Sequence, residues 1–274
     1  VDKITLKNIA LFLAFGLVFL PMLTSSVADY KQKKKNQEIE EQKLLVEKKR
    51  QEAEEKIYLM GKFDPTQNKD FVLVPKEYNV GGYEMYLRKE TLSAFLEMAK
   101  AAKEDSVDLK IASATRNFDY QKNLWNNKWS GYTLVEKKDL SKTIPDGLLR
   151  FKKILEYSSA PGTSRHHWGT DIDINDANPA YFLGTKGEKE YAWLVKNGAR
   201  FGFCQTYNSK DIERPTGYNE EKWHWSYLPL SKDFTKNYLK LVKEEDINGF
   251  MGAEYVLEQD LINDYVLGIN KDCI

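Results

Sequence analysis

The chain has 274 residues, with 41 Lys and Arg against 41 Asp and Glu, so its formal net charge is zero. No global field favours nucleic acid, and no basic patch interleaved with aromatics appears in the globular part. The two cysteines, Cys204 and Cys273, are single and far apart, which excludes a Cys-x-x-Cys structural zinc motif.

Val1 to Met60 are compositionally separate from the rest. Lys3 and Lys7 flank a hydrophobic run, Ile9 to Leu23, interrupted by Gly16 and Pro21. With its margins, Ile4 to Val27, the run is long enough to span a bilayer. Ser26-Val-Ala28 would also suit a signal peptidase, so residues 1–28 are expected to be a signal peptide or membrane anchor. Asp29 to Leu59 is dense in Lys, Glu and Gln without Pro or Gly, which predicts a long exposed helix on the order of 45 Å. Its apolar residues Ile39, Leu44, Leu45, Val46 and Ile57 are too irregular for a coiled coil. Residues 29–60 therefore read as a charged spacer, which suits an anchored protein better than a released one.

Gly61 to Asn68, with Pro65 as breaker, reads as a linker into a globular region, 61–274. The pattern then predicts a strand at Phe71 to Val74 and a helix at Lys89 to Ala102, where Leu92, Phe95, Leu96 and Ala99 recur at helical spacing. A strand-like Val107 to Ala114 and a helix-like Asp119 to Trp129 follow, then a helix at Leu148 to Tyr157 ending before Pro161-Gly162. Thr170 to Ile174 and Phe201 to Gln205 read as strands on either side of a helix at Tyr191 to Gly198, and Trp223 to Tyr227 reads as extended. The tail from Lys232, an extension starting at about 230, reads as helices with Phe234, Tyr238, Leu241 and Val242 on one face. Helices and short strands without regular alternation favour an α+β fold, a small mostly antiparallel sheet with flanking helices, over a doubly wound sheet. Cys204 reads as a buried free thiol, with a bond to Cys273 available only in an oxidising compartment.

The chemistry concentrates at Ser164-Arg-His-His-Trp-Gly-Thr-Asp-Ile-Asp173 and at Glu221-Lys-Trp-His224. These stretches hold all three histidines of the chain, His166, His167 and His224, beside carboxylates. A catalytic zinc takes three protein ligands and leaves a position for water, so two histidines and one aspartate are the natural set. Asp171 and Asp173 would share one face of a strand. The residues alone leave open whether His166 pairs with Asp173 or His167 with Asp171. A His beside Trp is most simply a packed core residue, as is expected of His167, and Asp171 would suit a turn. The aromatics Trp125, Trp129, Trp193, Trp223, Trp225 and Tyr227 read as core.

The Ser-x-His-x-x-Gly-x-x-x-Asp pattern followed by Glu-x-Trp-His resembles the zinc D,D-carboxypeptidases and D,D-dipeptidases, a family sharing its core fold with the hedgehog signalling domain. Ser113-Ala-Thr-Arg-Asn-Phe-Asp-Tyr-Gln121 resembles the same family's Ser-x-x-Arg block, and the likeness covers roughly Phe71 to Leu228. The resemblance implies zinc held by His166, Asp173 and His224, with Glu221 as catalytic base and Ser164 and Gln121 at substrate. Asp171 stands where many relatives carry a small apolar residue. Arg116 is the expected group for substrate and oxyanion recognition, since a guanidinium fork matches both and keeps its charge. Glu221 and His224 must lie on one side, which predicts a turn at Glu221 to Trp223. No Ser-x-x-Lys or His-Glu-x-x-His motif competes with this assignment.

The implied reaction removes terminal D-alanine from a D-alanyl-D-alanine peptidoglycan stem peptide in the bacterial cell envelope, outside the cytoplasm. That location outweighs the basic cluster Lys31 to Lys35, which argues against export. L,D-carboxypeptidase or endopeptidase specificity turns on loops closing one end of the groove, for which Trp129 to Pro145 is the candidate. A non-catalytic wall-binding module of the same fold, or a scaffold between membrane and wall, is the contrasting reading, and the presence of Glu221 speaks against it.

Overall fold

In the computed structural model the backbone is described from Lys3 and the side chains from Asp29. The hydrophobic run Ile9 to Leu23, and with it the reading of residues 1–28, lies outside the described side chains. Among the described residues no helix is long and apolar enough to cross a membrane. Contacts divide the chain into two compact units, Val1–Ala53 and Glu54–Ile274.

Helix α1 (Lys3–Leu59) is exposed along nearly all of its length from Asp29 to Ala53. Its end belongs to the second unit. Leu59 and Met60 are buried, and the Trp168 indole donates to the Leu59 carbonyl at 2.9 Å. The globular unit thus takes in residues assigned above to the spacer, because the last turn of α1 carries apolar side chains that the core covers. Gly61 is packed as well and is no free linker. It sits at φ +73, and a Cβ there would come within 2.5 Å of the His167 ring.

A two-stranded antiparallel pair, β1 (Phe71–Leu73) and β2 (Tyr86–Arg88), leads into helix α2 (Lys89–Glu104). The main sheet has four strands, all antiparallel, in the order β3 (Ile111–Ser113), β4 (Asp171–Ile174), β6 (His224–Tyr227), β5 (Phe203–Gln205). Helices α3 (Phe118–Trp129), α4 (Leu140–Thr143), α5 (Gly147–Leu155), α6 (Thr185–Asn197) and α7 (Leu228–Leu241) surround it. This is the expected α+β fold.

Strand alternation explains how the sheet is used. Residues two apart point to one face, and one face carries Ile111, Ile172, Ile174, Phe203 and Trp225. These pack with Phe95, Met98, Ala99 and Ala102 of α2 and with Trp193 and Leu194 of α6. Each large side chain buried there contributes roughly 1.5–3 kcal/mol. A second core forms from α3, α5, α7 and the tail around Trp125, Phe151, Trp168 and Tyr238.

Three expectations need correction. Val107 to Lys110 is not strand: β3 begins at Ile111, although Val107 and Leu109 are buried, so apolar alternation there reflects packing without a ladder. The tail after α7 is not a set of helices but short single turns, because Gly249, Gly252 and Gly268 interrupt it. Cys204 is no free thiol: it is bonded to Cys273 with Cα atoms 5.7 Å apart, which ties the tail to β5.

Candidate active site

The other face of the sheet carries Asp171, Asp173, His224 and Ser226, and it is as deeply buried as the apolar one. Register brings them together: Asp173 lies opposite His224, and Asp171 opposite Ser226. A shift between Ile111 and Ser113 sets Ser113 beside Asp173 on the other edge. His166 arrives from a single tight turn, Arg165–Trp168, that leads into β4. That turn ends at Gly169, where φ is +72 and a Cβ would lie 2.4 Å from the Phe71 ring. Only glycine fits, which accounts for the Gly between His166 and Asp173 in the motif.

His166, Asp173 and His224 each present one ligand atom, all within 4.8 Å of one another. The His166 Nδ1–H is fixed by the Ala114 carbonyl at 2.9 Å, so its Nε2 lone pair faces inward. His224 Nε2–H donates to Asp171 Oδ2 at 3.0 Å, which turns Nδ1 to the same point. Asp173 Oδ1 stands 3.4 Å from His166 Nε2 and 3.6 Å from His224 Nδ1. Bonds of about 2.0–2.1 Å to a tetrahedral zinc would set its ligand atoms about 3.4 Å apart. His166 Nε2 and Asp173 Oδ1 are both buried with no hydrogen-bond partner. Two acceptors facing each other without a proton between them require a cation.

The surrounding carboxylates hold a proton on His224 when no cation competes with it for the site. Burial alone would lower the His224 pKa, but bonds to Asp171 and Glu221 and the Asp173 charge push it up to about 9. Burial would raise Asp173, yet His166, His224 and Arg116 hold its carboxyl well below the usual range. His166 is itself pushed down by burial and by the Arg116 charge.

Asp171 serves as a brace. Its Oδ2 also accepts from Arg165 Nε at 3.1 Å, while Oδ1 accepts from Thr170 and Ser226 hydroxyls at 2.9 and 2.8 Å. Arg165 is buried too and donates to Thr235 and Ser226. The turn-capping role expected of Asp171 is replaced by this lattice, which sequence reasoning missed. The available signal was the run of Arg165, Asp171 and Asp173 around one histidine turn. His167 is packed as expected: its Nδ1 meets the Arg116 carbonyl and its Nε2 accepts from Gly162 N–H at 3.0 Å, leaving neither nitrogen for a metal.

Glu221 closes a turn, with His224 N–H donating to its carbonyl at 3.2 Å, as the spacing predicted. Its carboxylate Oε2 lies 3.2 Å from His224 Nδ1. Arg116, held by its N–H to the His166 carbonyl, approaches Asp173 Oδ2 to 3.6 Å and donates to Ser113 Oγ. Asn117 caps α3 immediately afterwards. Beside these groups is a cavity of about 160 Å³ lined in part by Arg116, Gln121, Tyr207, Tyr218, Glu221 and His224. Gln121 is buried and donates to the Ser159 carbonyl, leaving its Oε1 unpartnered. The Ser164 hydroxyl is buried and unpartnered, and Ser164 is not part of the cavity lining. Nor is any residue from Trp129 to Pro145: Val135 and Leu140 of that segment enter the core, and the walls come from α3, Tyr157 to Ser159 and the Tyr207–Glu221 stretch.

Two histidines and an aspartate converging on one point, with the Glu221 carboxylate and a cavity beside them, define a metallohydrolase-type site. The chain belongs to the VanY D-alanyl-D-alanine carboxypeptidase family, whose model matches residues 84–230, more than half of the chain. A D-alanyl-D-alanine carboxypeptidase of Enterococcus faecalis (strain ATCC 700802 / V583) is 28% identical over 187 residues, 64% of this chain and 62% of that protein. The chain spans 62% and 61% of the length of two curated relatives it matches. Among solved structures, the LdcB LD-carboxypeptidase is 26% identical and covers 67% of this chain and 81% of its own, with a TM-score of 0.47. The vancomycin resistance D,D-pentapeptidase VanY of a VanB-type cassette, in complex with Zn(II), is 24% identical, with 67% and 93% coverage and a TM-score of 0.43.

Proposed function

We propose that this chain is a zinc carboxypeptidase that removes the terminal D-alanine from peptides ending in D-Ala-D-Ala, of the kind found in peptidoglycan stems. The observation that carries the reading is the facing pair of unpartnered acceptors, His166 Nε2 and Asp173 Oδ1, beside a small cavity. His166, Asp173 and His224 are the ligands in this account. A zinc ion bound there supplies Lewis-acid polarisation of the scissile carbonyl and a water of lowered pKa.

The chain's own residues do the rest. The Glu221 carboxylate takes the proton of the attacking water as the new C–O bond forms, then delivers it to the leaving amine as the C–N bond breaks. Arg116, beside Asp173, binds the peptide and meets the charge developing on the carbonyl oxygen. Gln121 Oε1 is free to accept from a substrate N–H. Ser164, buried next to His166, is assigned to the peptide side of the site.

The globular unit works outside the cytoplasm in this reading. Residues 1–28 supply export or a membrane anchor and the charged part of α1 a spacer, a proposal supported by the sequence alone. The test is D-alanine release from a stem pentapeptide by the full chain, with zinc, with chelator, and with Glu221→Ala. Release that requires zinc and Glu221 supports the reading. Release only from a tetrapeptide would reassign it as an L,D-carboxypeptidase, and zinc binding without any release would leave a wall-binding module.

A further inference from the structure

The cavity extends beyond Glu221 and His224 to side chains that no catalytic step uses. Gln121, Leu124 and Lys128 recur three and four residues apart on α3, so one stripe of that helix lines it. Tyr157, Ser158 and Ser159 line it as well. Long side chains on a helix lean toward its N-terminal end. The Lys128 ammonium is therefore carried back toward Arg116, which immediately precedes α3.

Lys128 Nζ donates to Ser158 Oγ at 2.7 Å and forms no ion pair with a carboxylate among the described residues. Burial, and then the Arg116 charge, push this ammonium down to about 8. Arg116 and Lys128 thus share one small space, two cations against one carboxylate of the lining, Glu221, and Arg116 is the one paired with Asp173. A surplus of donors and positive charge in a confined volume calls for an anion. At about 160 Å³ the cavity is smaller than the roughly 300–1,000 Å³ of sites for drug-sized ligands, so the anion it takes is a small one.

We infer that Lys128 is a specificity residue that receives the terminal carboxylate of the leaving residue, so that the enzyme removes one small residue bearing a free carboxyl end. This rests on the carboxypeptidase reading for its substrate but not for its test. Interior segments and amidated ends are rejected because they would leave Lys128 charged and unpaired beside Arg116. Lys128 acts on binding of the leaving residue and touches no reacting bond.

The experiment is an NMR titration of the zinc-loaded full chain with D-alanine and with D-alaninamide, in the wild type, Lys128→Met and Lys128→Arg. The wild type is expected to prefer the free carboxylate by about 10- to 100-fold. Lys128→Met, which keeps the aliphatic stem, removes that preference, and Lys128→Arg retains most of it. In turnover, Lys128→Met raises KM by a similar factor and leaves kcat within a few-fold. A wild type indifferent to the carboxylate, or a Lys128→Met protein that keeps the preference, overturns the inference. Because the titration needs no turnover, a Lys128-dependent preference in a protein that cleaves nothing would uphold this assignment while removing the carboxypeptidase reading.

Discussion

The two faces of the central sheet are built from the same strands and are both buried, yet they are stabilised in opposite ways. On one, Ile172, Ile174 and Trp225 meet α2 and α6, and the one side-chain polar atom of the three, the Trp225 indole N–H, donates to the Lys222 carbonyl. On the other, Asp171, Asp173 and His224 are each nine-tenths or more buried, and most of their polar atoms are held by designed partners such as Arg165 and Ser226. The apolar face is complete by packing. The polar face is complete only at Asp171; at Asp173 and His166 it stops short, with acceptors facing each other. That incompleteness is the mark of a site, because a fold selected for stability alone would have paired or replaced those atoms.

The comparison can be tested most strongly at Glu221. Glu221→Gln should reduce turnover by on the order of 10²- to 10⁴-fold with no loss of melting temperature, because its carboxylate is partly exposed and braces nothing in the core. Equal losses of stability and activity would put Glu221 among the structural carboxylates. Asp171→Ala should do the reverse. Removing one partner of the buried Arg165 pair costs about 3–5 kcal/mol, and freeing His224 Nε2 weakens zinc by about 10- to 100-fold. Denaturant unfolding and zinc titration on that variant read the two effects separately.

Smaller effects sharpen the contrast. Cys273→Ser opens a cross-link between residues 69 apart in sequence and should cost about 2–4 kcal/mol in denaturant unfolding. Full stability in strong reductant would show that the tail is held by packing alone. On the apolar face, Ile172→Val should cost only about 0.5–1.5 kcal/mol and leave turnover unchanged. A change in turnover there would mean that the two faces are not independent.

The sequence showed this division unevenly. Alternation in Asp171-Ile-Asp-Ile174 made β4 legible, and the spacing of Glu221 and His224 made the turn legible, because both are local periodicities. The meeting of His166, Asp173 and His224 required register between β4 and β6, which the residues alone left open and the family pattern supplied. Arg165 was not legible, since its partners Asp171, Ser226 and Thr235 lie on three different segments. The Cys204–Cys273 bond was hidden for the same reason: it depends on how an irregular tail returns to β5. Lys128 looked like an ordinary helix lysine, and its place in the cavity lining depends on how α3 packs against Tyr157 to Ser159.

The most direct test of the polar face is zinc stoichiometry and affinity in the full chain, measured by titration after chelator treatment in the wild type, Glu221→Ala and Asp173→Ala. One tightly held zinc per chain in the first two, lost in Asp173→Ala, is the predicted result. No zinc in the wild type, or zinc held equally well without Asp173, would contradict the account.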